Sequence, residues 1–342
     1  MNSTTGEDWS SSRLDGETRI QWLVSRNQPT SNSATELGRE VLAGVRYDVR
    51  RFGRQPMSMV YHVLSSRKLR ELPIYYQFGT PAENLAVAIL IRAGIPVVAH
   101  YLDRIADGYP PWARHARLHL PIEAILRNAA LVLAISPIMR DHLKRHLRRS
   151  KPTLVNFKTI PDGPLATDTA LQRKPDAVIF AGNVNRKTNL SSLLDAKRVL
   201  DQEGLGLVVH TRTNDETVLR VLRSADVFIA PTLDASDVIK TSARYLAQLL
   251  PFNTDSESQR FYTSSTPSKI PNLLMARRPI LCVGPSDFWV YRWLRGYDAI
   301  YREPAQLSQL RHEDHSAICG AISIAAYEEF RSMSDNVSWS NL

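Results

Sequence analysis

The feature that most constrains this chain is a rhythm: short apolar runs rich in β-branched residues, each followed by a segment long enough for a helix. Ile20–Val24, Ile74–Tyr76, Val97–Tyr101, Leu131–Ile135 and Leu154–Phe157 form one series, and Ala177–Ala181, Leu207–His210, Val227–Ala230, Ile280–Val283 and Ala299–Tyr301 form a second. Unbroken apolar runs suit strands buried on both faces, and helix-length spacers suit the crossovers that parallel strands require. The rhythm therefore predicts an α/β class with two doubly wound parallel sheets, one per domain. A chain of 342 residues has enough apolar material for two cores.

The stretch Ile160-Pro-Asp-Gly-Pro-Leu-Ala-Thr-Asp168 between the two series has linker composition. The expected organisation is a disordered polar leader over 1–18, a first domain over 19–165, a second over 170–313, and a C-terminal helix and tail over 314–342. Small and apolar residues at helical spacing (Ile318, Ala321, Ile322, Ala325, Ala326) place that last helix across one domain. Residues 233–266 form a connection longer than α/β units usually carry. A helix is expected over Val238–Leu250, and a mobile polar stretch from Asn253 onward. A lid, an acceptor-binding insertion and a plain surface insertion are all compatible with that pattern.

Charge divides unevenly. The formal net charge is +9, and residues 1–165 hold 23 basic and 14 acidic side chains against 20 and 20 in the remainder. A basic first half beside a neutral second half calls for a polyanionic partner on the first, either nucleic acid or an anionic membrane surface. No helix-turn-helix, RNA-recognition aromatic motif or zinc-ligand spacing supports nucleic acid. Pro137–Lys151 reads as a basic helix with Ile138, Leu143 and Leu147 near one face, able to lie on a membrane or to be half-buried with a solvated face. Arg50, Arg51, Arg54, Arg67, Lys68 and Arg70 make a second basic region. The polar N-terminus is unlike a signal peptide, and Arg92 breaks the longest apolar run, so peripheral attachment is expected. Cys282 and Cys319 have neither disulfide-framework nor metal spacing, which suits a reducing cytoplasm.

Two segments carry candidate chemistry. In Val178-Ile-Phe-Ala-Gly-Asn-Val-Asn-Arg-Lys-Thr-Asn-Leu190 a strand ends at Gly182, and Arg186 and Lys187 precede a helix start, an arrangement that suits a diphosphate. The alternative is a pair of ordinary solvated loop cations. In Thr266-Pro-Ser-Lys-Ile-Pro-Asn272, Ser268 and Lys269 open a helix leading to Ile280–Val283. A parallel sheet puts both segments at the carboxyl ends of its strands, the ligand edge.

The order of Phe-Ala-Gly-x-x-x-Arg-Lys (180–187), Arg223-Ser-Ala-Asp-Val-Phe-Ile-Ala-Pro231 and Pro267-Ser-Lys-x-Pro-x-x-x-Met-Ala-x-x-Pro279 resembles the nucleotide-sugar half of family 4 glycosyltransferases, which have the GT-B fold. In the first half, Gly94-Ile-Pro-Val-Val-Ala-His-Tyr-Leu-Asp103 and Leu131–Leu143 are similar to the family's acceptor domain. The resemblance implies two Rossmann-like domains facing across a cleft, and a nucleotide sugar as substrate with no cofactor and no obligatory metal. It implies transfer of a sugar to a hydroxyl of a glycan or lipid-linked acceptor in cell-surface polysaccharide synthesis. Gly182, Arg186, Lys187, Ser268, Lys269 and Asn272 match donor-binding positions, His100 matches a histidine facing the cleft, and Asp103 is placed to orient or deprotonate an acceptor hydroxyl. Asn272 stands where many relatives have Glu, Arg277 where the family usually has Gly, and the glycine pair after the first strand is missing. A non-catalytic relative that binds a nucleotide or glycan as a partner subunit is the alternative.

Overall fold

The computed structural model describes residues 19–25, 33–43, 45–102, 116–147, 150–166, 174–256, 259, 263–303, 306 and 315–337. The expected leader over 1–18 and Asp103 lie outside them.

Two all-parallel six-stranded sheets follow one another along the chain. The first has the order β2-β1-β3-β4-β5-β6, from β1 (Arg19–Val24), β2 (Arg46–Arg51), β3 (Ile74–Gln77), β4 (Val97–Tyr101), β5 (Leu131–Ala134) and β6 (Thr153–Val155). Its crossovers are α1 (Ser33–Val41), α2 (Pro56–Ser65) with the short α3 (Arg67–Arg70), α4 (Pro81–Arg92), α5 (Leu120–Asn128) and α6 (Pro137–His146). Local chemistry marks their starts: α4 opens with a reciprocal capping box of Thr80 and Glu83 followed by Pro81, and the Ser136 hydroxyl caps α6 by accepting from the Met139 amide at 3.0 Å.

The second sheet has the order β12-β11-β10-β7-β8-β9. Its strands are β7 (Lys174–Ala181), β8 (Gly206–His210), β9 (Phe228–Ala230), β10 (Tyr245–Pro251), β11 (Ile280–Val283) and β12 (Tyr301–Arg302). Helices α7 (Leu190–Gln202), α8 (Glu216–Ser224), α9 (Ala235–Ser242), α10 (Ile270–Met275) and α11 (Trp289–Leu294) join them, and α12 (His315–Ser332) follows.

One expectation is overturned here. Residues 233–266 are not an insertion on the sheet but hold α9 and then β10, an interior strand between β7 and β11. Leu246, Leu249 and Leu250 fit a helical stripe continuing from Val238 and Ile239, which is why the sequence reads as one helix. Tertiary contact decides otherwise: the segment is buried along its length, and Gln248 donates to the Leu273 carbonyl at 2.8 Å.

The C-terminal helix crosses back as expected. Phe330 packs against Phe157 with ring centres 4.6 Å apart and planes tilted by 42°. Beyond it Asp335 pairs with edge strand β6, its amide donating to the Val155 carbonyl and its carboxylate accepting from the Val155 amide, both at 2.7 Å. One apolar cluster thus contains Val155 and Phe157 together with Trp289, Tyr291 and Phe330. Contacts at the carboxyl edges add to this bridge: the Ser136 hydroxyl donates to the Ser264 carbonyl, and the Thr266 hydroxyl to the Ile135 carbonyl.

The basic helix α6 has no apolar face left for a lipid surface. Met139 and Leu143 are buried in the first core with Leu147 packed against it, and Ile138 packs on the cluster shared with the second half.

Candidate functional site

The carboxyl edge of the second sheet collects most of the donor-site candidates. β7 is followed directly by Gly182, whose φ of +148° is a conformation that glycine adopts freely. Its amide donates to the His210 carbonyl at 2.9 Å, tying the ends of β7 and β8 together. A Cβ at Gly182 would stand 3.4 Å from the Lys269 Nζ, so Gly182 and Lys269 are neighbours although 87 positions apart. The Lys269 ammonium lies 4.2 Å from the centre of the Phe180 ring. Burial pushes its pKa down to about 8, and among the described residues no carboxylate pairs with it. Ser268 beside it is half-buried.

The loop between β7 and α7 is stapled by asparagines. Asn185 accepts from the Lys187 amide at 2.8 Å, and Asn189 accepts from the Asn185 amide at 2.8 Å while donating to the Asn183 carbonyl at 3.0 Å. The Thr211 hydroxyl, at the end of β8, accepts from the Val184 amide at 3.2 Å. Lys187 is thereby held on an exposed turn, and its ammonium has no anionic partner among the described residues. Arg186 instead pairs with Asp215 at 3.3 Å. The Val218 amide above all, with the Thr217 amide and Arg186, holds that carboxyl below its usual range.

The start of α7 differs from the sequence reading. Its free amides were expected to meet a diphosphate, but those of Ser191 and Ser192 point at Asn253 Oδ1, at 3.0 and 3.3 Å. Asn253 also donates to the Arg186 carbonyl at 2.7 Å, and its own amide donates to the Thr188 carbonyl at 2.8 Å. It is 1% exposed, the opposite of the mobile position expected. The readable signal was an asparagine directly after an apolar run, masked by reading that run as a helix.

Asn272, three residues after Lys269, has its side chain committed away from a donor. It is buried against the chain between the sheets, accepting from the Asp162 amide at 2.9 Å and donating to the Asp162 carboxylate at 2.5 Å. Asp162 in turn pairs with Lys158.

His100 lies near the carboxyl end of β4, in register with Gln77 and Leu133, and is fully enclosed. The Asn156 carbonyl can only accept, so Nε2, 3.2 Å away, carries the proton. Nδ1 then accepts from the Tyr75 hydroxyl at 2.7 Å, and that oxygen accepts from Gln77 at 3.0 Å. Burial pushes the imidazole down to about 4, outweighing the raising effect of the Asn156 carbonyl. In this conformation His100 is a core link between β3, β4 and the chain after β6, with neither nitrogen open to a substrate. Among the described residues no helix is long and apolar enough to cross a membrane.

Comparison with known proteins adds the fold's identity. No family model and no curated protein matches the sequence. Solved structures do match. A glycosyltransferase from Rickettsia africae aligns with a TM-score of 0.63 at 9% identity, over 94% of this chain and 95% of that one. The trehalose 6-phosphate synthase of Burkholderia multivorans aligns at 0.57 and 11% identity, over 92% of each chain. A TarM mutant of S. aureus, in complex with fondaparinux, α-GlcNAc-glycerol and UDP, aligns at 0.55 and 11% identity. This alignment covers 82% of the present chain, which spans 56% of the TarM chain. The chain has the GT-B fold.

Proposed function

We propose that the protein is a glycosyltransferase that moves a sugar from a nucleotide-sugar donor to a hydroxyl of a glycan or lipid-linked acceptor, in the manner of family 4. The observation that carries this reading is the pair of cations at the carboxyl edge of the second sheet, Lys187 and Lys269, neither matched by a carboxylate among the described residues. A site that holds uncompensated cations beside a tight glycine turn suits a diphosphate. In the transfer, the bond from the sugar's anomeric carbon to the diphosphate oxygen breaks and its electron pair leaves with the nucleoside diphosphate. The acceptor oxygen forms the new bond and gives up its proton. Lys187 and Lys269 stabilise the charge growing on the leaving oxygen, which is where binding energy raises the rate. Ser268 adds a hydroxyl donor beside them. With the first amides of α7 taken by Asn253, the reading assigns the diphosphate to side chains and not to that helix end.

The acceptor belongs to the basic first half, facing an anionic membrane surface from its cytoplasmic side. Asp103 is the residue proposed to orient or deprotonate the acceptor hydroxyl, and His100 supports that edge from within the core. The second reading, a non-catalytic nucleotide- or glycan-binding subunit, is favoured by one observation: Asn272 occupies the position of a ribose-binding glutamate and is committed to Asp162.

A panel of nucleotide sugars in thermal-shift and hydrolysis assays tests the proposal. One donor should stabilise and be turned over, and Lys187→Ala should cut turnover by about 10²–10³ without lowering the melting temperature. Binding without turnover on any acceptor from the native cell selects the second reading.

A further inference from the structure

We infer that the face made by α2, α3 and the carboxyl end of β2 is the surface with which this protein docks on anionic lipid. The inference rests on the reading that the acceptor half meets a membrane, and it moves the contact away from α6. From Val49 to Arg70 the chain has six Arg or Lys and not one Asp or Glu. These cations bracket α2: Arg50, Arg51 and Arg54 precede it, and Arg67, Lys68 and Arg70 follow. Helix α2 is about 15 Å long, so both groups fall within reach of one patch of headgroups. Arg50 is brought alongside the helix by its 3.1 Å contact with His62. Arg54, Lys68 and Arg70 are exposed and have no carboxylate partner among the described residues.

The outward face of α2 sets two large side chains, Met57 and Tyr61, in solvent beside the polar Ser58, His62 and Ser65. Met57 is 49% exposed and Tyr61, one turn on, is 77% exposed, while Val60 and Val63 hold the helix in the core. An exposed Met and Tyr ringed by cations match the headgroup layer of a bilayer, where apolar tips enter and charges stay with phosphates. A nucleic-acid backbone would satisfy the cations but leave Met57 and Tyr61 without a purpose. Helix α6 is comparably basic, yet its apolar side chains are consumed by the two cores.

The test is co-sedimentation of the full chain with phosphatidylcholine vesicles with and without phosphatidylglycerol, at low and physiological salt. Binding is expected only with phosphatidylglycerol and should weaken with salt. Combining Arg54→Ala, Lys68→Ala and Arg70→Ala should weaken partitioning about five-fold per charge, at about 1 kcal/mol each. Met57→Ser with Tyr61→Ser should weaken it with the salt dependence unchanged. Arg140→Ala with Lys144→Ala and Arg145→Ala, on α6, should leave it intact. All these residues are exposed or partly exposed, and unchanged melting curves confirm that the variants fold. Indifference of the wild type to phosphatidylglycerol, or loss of binding only in the α6 variant, overturns the inference. So does a duplex oligonucleotide that binds more tightly than vesicles through the same cations. A thermal shift with the panel of nucleotide sugars, run in parallel, reads the donor site alone: failure of every donor would sink the transferase reading while leaving the lipid result standing.

Discussion

Asn253 holds the start of α7 through Ser191: its side-chain oxygen accepts from the Ser191 amide at 3.0 Å and from the Ser191 hydroxyl at 2.7 Å. A residue just past β10 therefore caps a helix through an amide 62 positions earlier and fixes the loop that carries Arg186 and Lys187.

Replacing Asn253 by Ala removes this cap and leaves buried donors and a carbonyl unmatched. The expected cost is about 1–3 kcal/mol of stability, measured by urea unfolding. Donor affinity should fall as well, because Lys187 loses its support. Asn253→Asp keeps the acceptor and should retain more stability than Ala, but it sets a carboxylate beside the diphosphate and should bind donor no better.

Lys269 gives donor binding a pH dependence. Its ammonium is favoured below about 8 and lost above, so affinity for a nucleoside diphosphate should fall as pH rises through that value. A bound anion favours the charged form and shifts the loss upward in the complex. Calorimetric titrations from pH 6.5 to 9.5 read this directly. Lys269→Arg keeps its charge throughout and should flatten the profile; a wild-type profile already flat would remove Lys269 from the site.

Asn272→Glu, which restores the residue common in the family, should harm this protein. The new carboxylate would face that of Asp162, where Asn272 now donates at 2.5 Å. A drop in melting temperature is expected, with recovery when Asp162→Asn is added. Equal stability of the single and double variants would mean the Asp162 contact carries no weight.

His100 should make the fold sensitive to acid. Its pKa is about 4 when folded, below the ordinary value of 6.5, so the unfolded chain binds the extra proton first. Its stabilising contribution is complete above pH 6.5 and is lost as pH falls toward 4, by about 3 kcal/mol at most. His100→Gln should lower stability at neutral pH and reduce the slope between pH 6.5 and 4.

The fold was legible because β-branched runs and helix-length spacers leave few alternatives for a chain this long. Strands such as Val97–Tyr101 and Ile280–Val283 fall where the apolar runs put them. Strand β2 (Arg-Tyr-Asp-Val-Arg-Arg) was hidden because an edge position needs no continuous apolar run. Strand β10 was hidden because Gln248 breaks its apolar run, and only the Leu273 carbonyl, brought near by folding, makes a buried glutamine tolerable there. The site was legible as residue types at a sheet edge. Its partnerships were not, because hydrogen bonds between residues 62 or 110 positions apart leave no periodic mark.

The sequence by itself determined two parallel sheets, the placing of Gly182, Lys187 and Lys269 at the carboxyl edge of the second, and a positive charge confined to the first half. Tertiary structure alone decided which of those groups are open. It closed the start of α7 with Asn253, turned Asn272 to Asp162, enclosed His100 and buried the apolar face of α6, while leaving Met57 and Tyr61 outside. The reason is that pattern sets which face of an element is apolar, whereas the partner that covers a given polar group or face is chosen by packing among elements distant in the chain.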